Sequence, residues 1–120
     1  FGLMLDLSHM PMLGETAHQM LSTAGDHLVH AHIGNCVMRD STHPAYGDEH
    51  PRFGIPGGEV DVDELAEFLQ ELLKLGYLNP KNPRFLSFEV KPVSQFGETT
   101  GTIVANAKRA LLKAWARVEL

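Results

Sequence analysis

Apolar positions along this chain follow two periods. Three runs of strand length, LMLD at 3–6, HLVHAHI at 27–33 and RFLSFEV at 84–90, are apolar over most of their length with a few polar residues set near their trailing ends, the pattern of strands buried in a parallel sheet. Between them the period becomes helical. From Glu15 to Ala24 the apolar residues are Ala17, Met20, Leu21 and Ala24, and Gly25 stands where a helix would stop. Asp61 and Glu64 have capping-box spacing, and the stripe Leu65, Phe68, Leu69, Leu72 and Leu73 follows, ending before Gly76. NPKNP at 79–83 reads as a turn, and a last helix is predicted from about Thr102 to Arg117 through Ile103, Ala107, Leu111, Ala114 and Trp115.

The order β, α, β, α, β, α predicts an α/β fold with parallel strands and crossover helices. Three such units match a sector of a (β/α)8 barrel or half of an open doubly wound sheet, and no glycine-rich dinucleotide fingerprint follows any strand. From Gly34 to Glu59 the chain is rich in Gly, Pro, His and Asp without apolar periodicity. A loop this long inside one domain is usually functional.

At 120 residues, with 43% apolar and 21% charged content, the chain can build one soluble domain, spanning 1–120, and no more. No apolar run approaches the ~20 residues that cross a bilayer, and the opening lacks a signal peptide's basic start. With one cysteine, Cys36, a cytoplasmic setting is expected. A formal net charge of -5 gives no attraction to phosphate backbones, so nucleic acid is a disfavoured partner. Lys108, Arg109, Lys113 and Arg117 fall where a final helix would end, beside the negative pole of its dipole. The chain opens on a strand already in progress, FGLMLD, without an initiator methionine. Because a buried parallel strand needs neighbours on both sides, a C-terminal piece of a longer domain is expected.

Candidate chemistry clusters at the strand ends. Asp6, His32 and Glu89 each stand near the trailing end of one apolar run, and parallel strands bring such residues to a common rim where α/β folds keep their sites. Two carboxylates and an imidazole suit a divalent metal. Asp6 and His9 form D-x-x-H, and His30 and His32 leave their strand on the same face. Glu89 lies in FLSFEVKP, where burial would raise its pKa and a metal would lower it. The plainer alternative has Asp6 capping the next helix, His30 and His32 as hydrogen-bonded interior histidines, and Glu89 paired with Lys91. In the loop, Asp48 and His50 form D-x-H, with Arg52 two residues on and Gly57-Gly58 beyond; these suit anion or hydroxyl binding, or merely a solvated loop. Arg39 is placed to grip a phosphate or sugar hydroxyl, or to pair with Asp40.

LDLSH, HAH and FEV together resemble the C-terminal part of the xylose isomerase-like TIM barrels, the superfamily of sugar isomerases, ketose 3-epimerases and endonuclease IV. The resemblance runs through nearly the whole chain and implies the last three βα units of a (β/α)8 barrel, incomplete as it stands. It implies Asp6, His32 and Glu89 as metal ligands, Glu89 also as the catalytic base, and His9 and Arg39 toward substrate; Asp48, His50 and Arg52 are added to the substrate side from the loop residues themselves. A fourth ligand, a glutamate, is expected on a preceding strand. The implied function is a divalent-metal-dependent sugar or sugar phosphate isomerase or epimerase, with Mn²⁺, Mg²⁺ or Co²⁺ and with Zn²⁺ compatible, working through an enediolate. Its partner would be that small molecule, with no membrane and with a homo-oligomer admissible for the full-length protein.

The loop segment GDEHPRFGIPGG departs from the epimerase pattern and resembles the D-x-H segment of endonuclease IV. On that alternative Asp6, His9, His32, Asp48, His50 and Glu89 would help build a multi-zinc centre for phosphodiester hydrolysis. The net acidity and HIGN in place of an HLND-type continuation speak against it. A non-catalytic binding protein or fragment is the third expectation.

Overall fold

A computed structural model describes residues 2–92 and 96–120, so Phe1 of the opening run lies outside the described residues. Three strands, β1 (Leu3–Asp6), β2 (Leu28–Gly34) and β3 (Phe85–Glu89), form one open parallel sheet in the order β1-β2-β3. Four α-helices join and follow them: α1 (His9–Leu13), α2 (Ala17–Ala24), α3 (Val62–Lys74) and α4 (Thr100–Trp115). A 3₁₀ turn at Gly25–His27 leads into β2. The fold is mixed α/β.

Each long helix begins on a side chain suited to its exposed N–H groups. Thr16 and Gln19 close a capping box on α2, Asp61 and Glu64 close another on α3, and Thr99 accepts from the Thr102 N–H at the start of α4. The short helix α1 was not predicted: HMPML is too brief to show a period, and it is set by the turn that Asp6 and Ser8 make before it.

Helix α3 packs between α2 and α4. Its Leu65, Phe68, Leu69 and Leu72 are fully buried and meet Met20, Leu21 and Ala24 of α2, Ala107, Ala110 and Ala114 of α4, and Ala31 and Ile33 of β2 in one core. Alanines on α4 let that helix lie close. Because side chains alternate along a strand, the residues between the core positions face the other way. Register pairs Met4 with His30 and His30 with Phe85, then Asp6 with His32 and His32 with Ser87, and finally Gly34 with Glu89. That second face thus runs from apolar Met4 and Phe85, the latter 75% exposed, to a polar rim.

Residues 35–61 form the long connection from β2 to α3. Asn35, fully buried, holds it together: its Oδ1 accepts from the Cys36 and Val60 N–H groups, and its Nδ2 donates to the Arg52 carbonyl. Val37, Ala45 and Ile55 pack as a small separate cluster, while Phe53 and Val60 insert into the main core. His43 closes the loop from within, with Nδ1 accepting from the Ala45 N–H and Nε2 on the Pro56 carbonyl.

Candidate metal centre

The parallel register carries Asp6, His32 and Glu89 to one rim, where each offers a donor atom within 4.8 Å of the others. His32 Nδ1 and Glu89 Oε2 are 2.7 Å apart. A second group converges on the same aspartate: Asp6, His9 and His50 also lie mutually within 4.8 Å. Asp48 links that side, its Oδ1 being 2.8 Å from His50 Nε2 and 3.3 Å from His9 Nε2, and His50 Nε2 stands 3.7 Å from Glu89 Oε1.

Asp6 is the shared corner and is only 4% exposed. Its Oδ1 accepts from the Ser8 N–H at 2.9 Å and the Ser8 hydroxyl at 2.7 Å, whereas its Oδ2 is buried without a donor. An ionised oxygen in that state is costly unless something positive meets it. Burial first, then proton sharing with the Glu89 carboxyl, pushes Asp6 above its ordinary carboxylate range, against the pull of the Ser8 donors. Glu89 moves the other way: proton sharing with Asp6, followed by its bond to His32, holds it below the usual range despite some desolvation. The expectation that burial raises Glu89 is therefore corrected. Its side chain is 42% exposed and well supplied with partners, and the buried carboxyl is that of Asp6.

The donors fit a divalent cation. Bonds of about 2.0–2.3 Å place two ligands at most ~4.5 Å apart, so a small contraction of either group suffices. Asp6 Oδ2 is the buried oxygen such an ion would neutralise.

His50 reaches the centre in a left-handed backbone conformation, φ 47°, which costs a side-chain-bearing residue about 1–3 kcal/mol. The Lys91 N–H donates to its carbonyl at 2.9 Å, and its Nδ1 lies 3.4 Å from the Ser8 hydroxyl. Lys91 Nζ pairs with Glu49, not with Glu89. His30 bonds the Ser87 hydroxyl at 2.8 Å and sets its ring edge-on to His32, so of the plainer alternatives a hydrogen-bonded His30 holds. Asp6 does make the turn before α1, but with one oxygen only.

Of the expected substrate residues, the structure brings His9, Asp48 and His50 to the centre. Arg39 instead pairs with Glu59 at 3.2 Å, and Arg52 with Glu98 at 2.8 Å. Cys36 is buried, with its thiol pushed up to about 11 mainly by burial, which leaves it unreactive. Ser8, Gly34 and Asn35 were not singled out as site residues. Ser8 had a local signal in its two-residue spacing from Asp6, while the other two act through loop residues 15 to 25 positions away. Among the described residues, no helix is long and apolar enough to cross a membrane. No family model, curated protein or solved structure matches the chain.

Proposed function

We propose that this chain carries the metal-binding rim of a xylose isomerase-like (β/α)8 barrel, and that its activity is divalent-metal-dependent isomerisation or epimerisation of a sugar or sugar phosphate. The single observation that supports this most is that the buried Asp6 carboxylate, one of whose oxygens has no hydrogen-bond partner, shares a cluster of donor atoms with His32 and Glu89. A cytoplasmic setting goes with this reading.

When bound, a cation such as Mn²⁺, Mg²⁺ or Co²⁺ supplies Lewis-acid polarisation of a substrate carbonyl. The chain's own groups then divide the work. Glu89, held ionised by its neighbours, is the base that takes the proton from the carbon beside that carbonyl. Its Oε2 is engaged by His32, and Oε1, which lies 3.7 Å from His50 Nε2, is the oxygen assigned to receive it. His9, nearly half exposed at the rim, is placed to hold a substrate hydroxyl. Ser8 fixes the orientation of the Asp6 carboxylate by donating its N–H and its hydroxyl to Oδ1.

A second reading is favoured by the second donor group. Asp6, His9 and His50, joined by Asp48, could hold a further cation, as metal-assisted phosphodiester hydrolysis of the endonuclease IV type would use. Elemental analysis separates the two: about one Mn, Mg or Co per chain supports the isomerase, two or three Zn support the hydrolase, and no metal leaves a binding protein. Solvent deuterium incorporation into ketoses, compared with cleavage of phosphodiesters, tests the chemistry directly. Full turnover by a Glu89→Gln variant would remove Glu89 from the role of base.

A further inference from the structure

The close fit around Gly34 has a mechanical meaning. Gly34 ends β2 between the ends of the other two strands, two residues past His32. A Cβ built there would stand 2.8 Å from the Glu89 carbonyl oxygen, 3.1 Å from His50 Nδ1 and 3.5 Å from Asp6 Oδ1. All three neighbours belong to the metal centre, and the first distance is shorter than real Cβ contacts allow. The space that a side chain would fill is closed by the Glu89 backbone on one side and by the His50 ring on the other.

The loop that delivers His50 is anchored in two unequal ways. Its body is tied by buried interactions that owe nothing to the centre: Asn35 with Cys36, Arg52 and Val60, and the cluster of Val37, Ala45 and Ile55. Its tip, residues 48–50, hangs on the Lys91 N–H to the His50 carbonyl, on the exposed Lys91–Glu49 and His9–Asp48 pairs, and on the imidazole itself, whereas Pro51 is buried and Arg52 is held by Asn35 and Glu98. His50 also holds a backbone conformation that disfavours it. A tip so placed responds to whatever engages the imidazole.

We propose that Gly34 is a positioning residue of the metal centre: the space left by its missing side chain seats the His50 imidazole against Asp6, so that divalent-cation binding and docking of the 48–50 tip are one coupled event. This rests on the reading that Asp6 and its neighbours hold a cation. Coupling of this kind is reciprocal: the ion steadies the tip, and the tip raises affinity for the ion. Loss of the seat should therefore weaken the ion and free the tip together.

The test combines calorimetric titration with Mn²⁺ and with Zn²⁺ and hydrogen exchange of the full chain with and without each ion. In the unaltered protein, added ion should slow exchange at residues 48–50 by about tenfold, a typical coupling factor, while Gly47 and Val60 in the loop body stay unchanged. Gly34→Ala should lower affinity by about 10- to 100-fold, the usual effect of losing a supporting residue, and abolish that slowing. His50→Gly, which suits the left-handed backbone, should do the same, and the double variant should be no weaker than the weaker single one. Should Gly34→Ala fail to fold, His50→Gly decides: a tip that still responds to the ion overturns the proposal. Ion binding to the unaltered protein without any change at the tip also overturns it, while leaving the metal reading intact. Absence of binding by either ion removes both.

Discussion

The two donor groups that meet at Asp6 are built by different means. His32 and Glu89 arrive on β2 and β3, where hydrogen-bonded register fixes their height at the rim. His50 arrives on a loop held by one buried asparagine, a three-residue cluster, Phe53 and Val60 set into the main core, and a glycine-sized gap. Strand-borne donors share the stability of the whole core; loop-borne donors depend on a few local contacts and can loosen alone. The contrast teaches where this centre is rigid and where it can move.

The largest effect should come from the core that both groups share. Phe68→Ala leaves a cavity beneath the sheet and should cost about 3–5 kcal/mol in denaturant unfolding, abolishing both groups at once. If the loop signals survived that change, the loop would be the more independent unit, contrary to the comparison.

Asp6→Asn should come next, since Asp6 belongs to both groups. Affinity for Mn²⁺ should fall about 100-fold or more, roughly 2.8 kcal/mol at 1.4 per decade. Without ion the substitution should preserve or raise stability near neutral pH, because an amide oxygen keeps the Ser8 bonds while the buried charge disappears. The pH dependence has a definite sign. With its folded pKa raised above 3.8, Asp6 contributes stability that is fully present below that value and lost as pH rises through the folded one. Denaturant titrations from pH 3 upward should show that loss in the unaltered protein and not in Asp6→Asn. Glu89 is shifted downward and acts in the opposite sense, its share being lost as pH falls; since Asp6 is the first cause of that shift, Asp6→Asn should shrink this acid-side loss as well.

Asn35→Ala isolates the loop. It orphans the buried Val60 N–H and the Arg52 carbonyl, and should cost about 1–3 kcal/mol. Exchange should accelerate across 36–60 while the amides of β2 and β3 stay protected. Equal acceleration in the strands would mean that loop and sheet form one cooperative unit.

The smallest effect marks the outer surface of the helical layer. His18, which lies 3.0 Å from Glu71, is the main reason that Glu71 sits below the usual carboxylate range. Stability from Glu71 is present above its ordinary value and lost as pH falls through the lowered one. As the histidine is largely exposed, His18→Ala should change stability by no more than about 0.5 kcal/mol in a thermal melt.

Much of the layer was legible because periodicity and caps are local signals. Leu65, Phe68, Leu69 and Leu72 announced α3, and Asp61 with Glu64 announced its start. The last helix begins at Thr100, two residues before the expected Thr102, directly after the Thr99 cap. His32 and Glu89 were legible as rim residues because a strand end is visible in sequence and parallel strands align their ends. Arg39 and Arg52 show the limit: an arginine near a site reads alike whether it faces substrate or pairs with Glu59 or Glu98. His50 could be named but not placed, since its position depends on a glycine 16 residues earlier and a serine 42 residues earlier.

By itself, then, the amino-acid sequence determined the order of strands and helices, the faces they bury and the polar residues at the strand ends, because backbone propensity and apolar spacing act over a few residues. Only the tertiary structure decided that Asp6 would stand between two sets of donors with one oxygen unanswered. That outcome needs strand register, a loop folded on Asn35 and a gap at Gly34 to agree in space, and no local run of residues encodes such agreement.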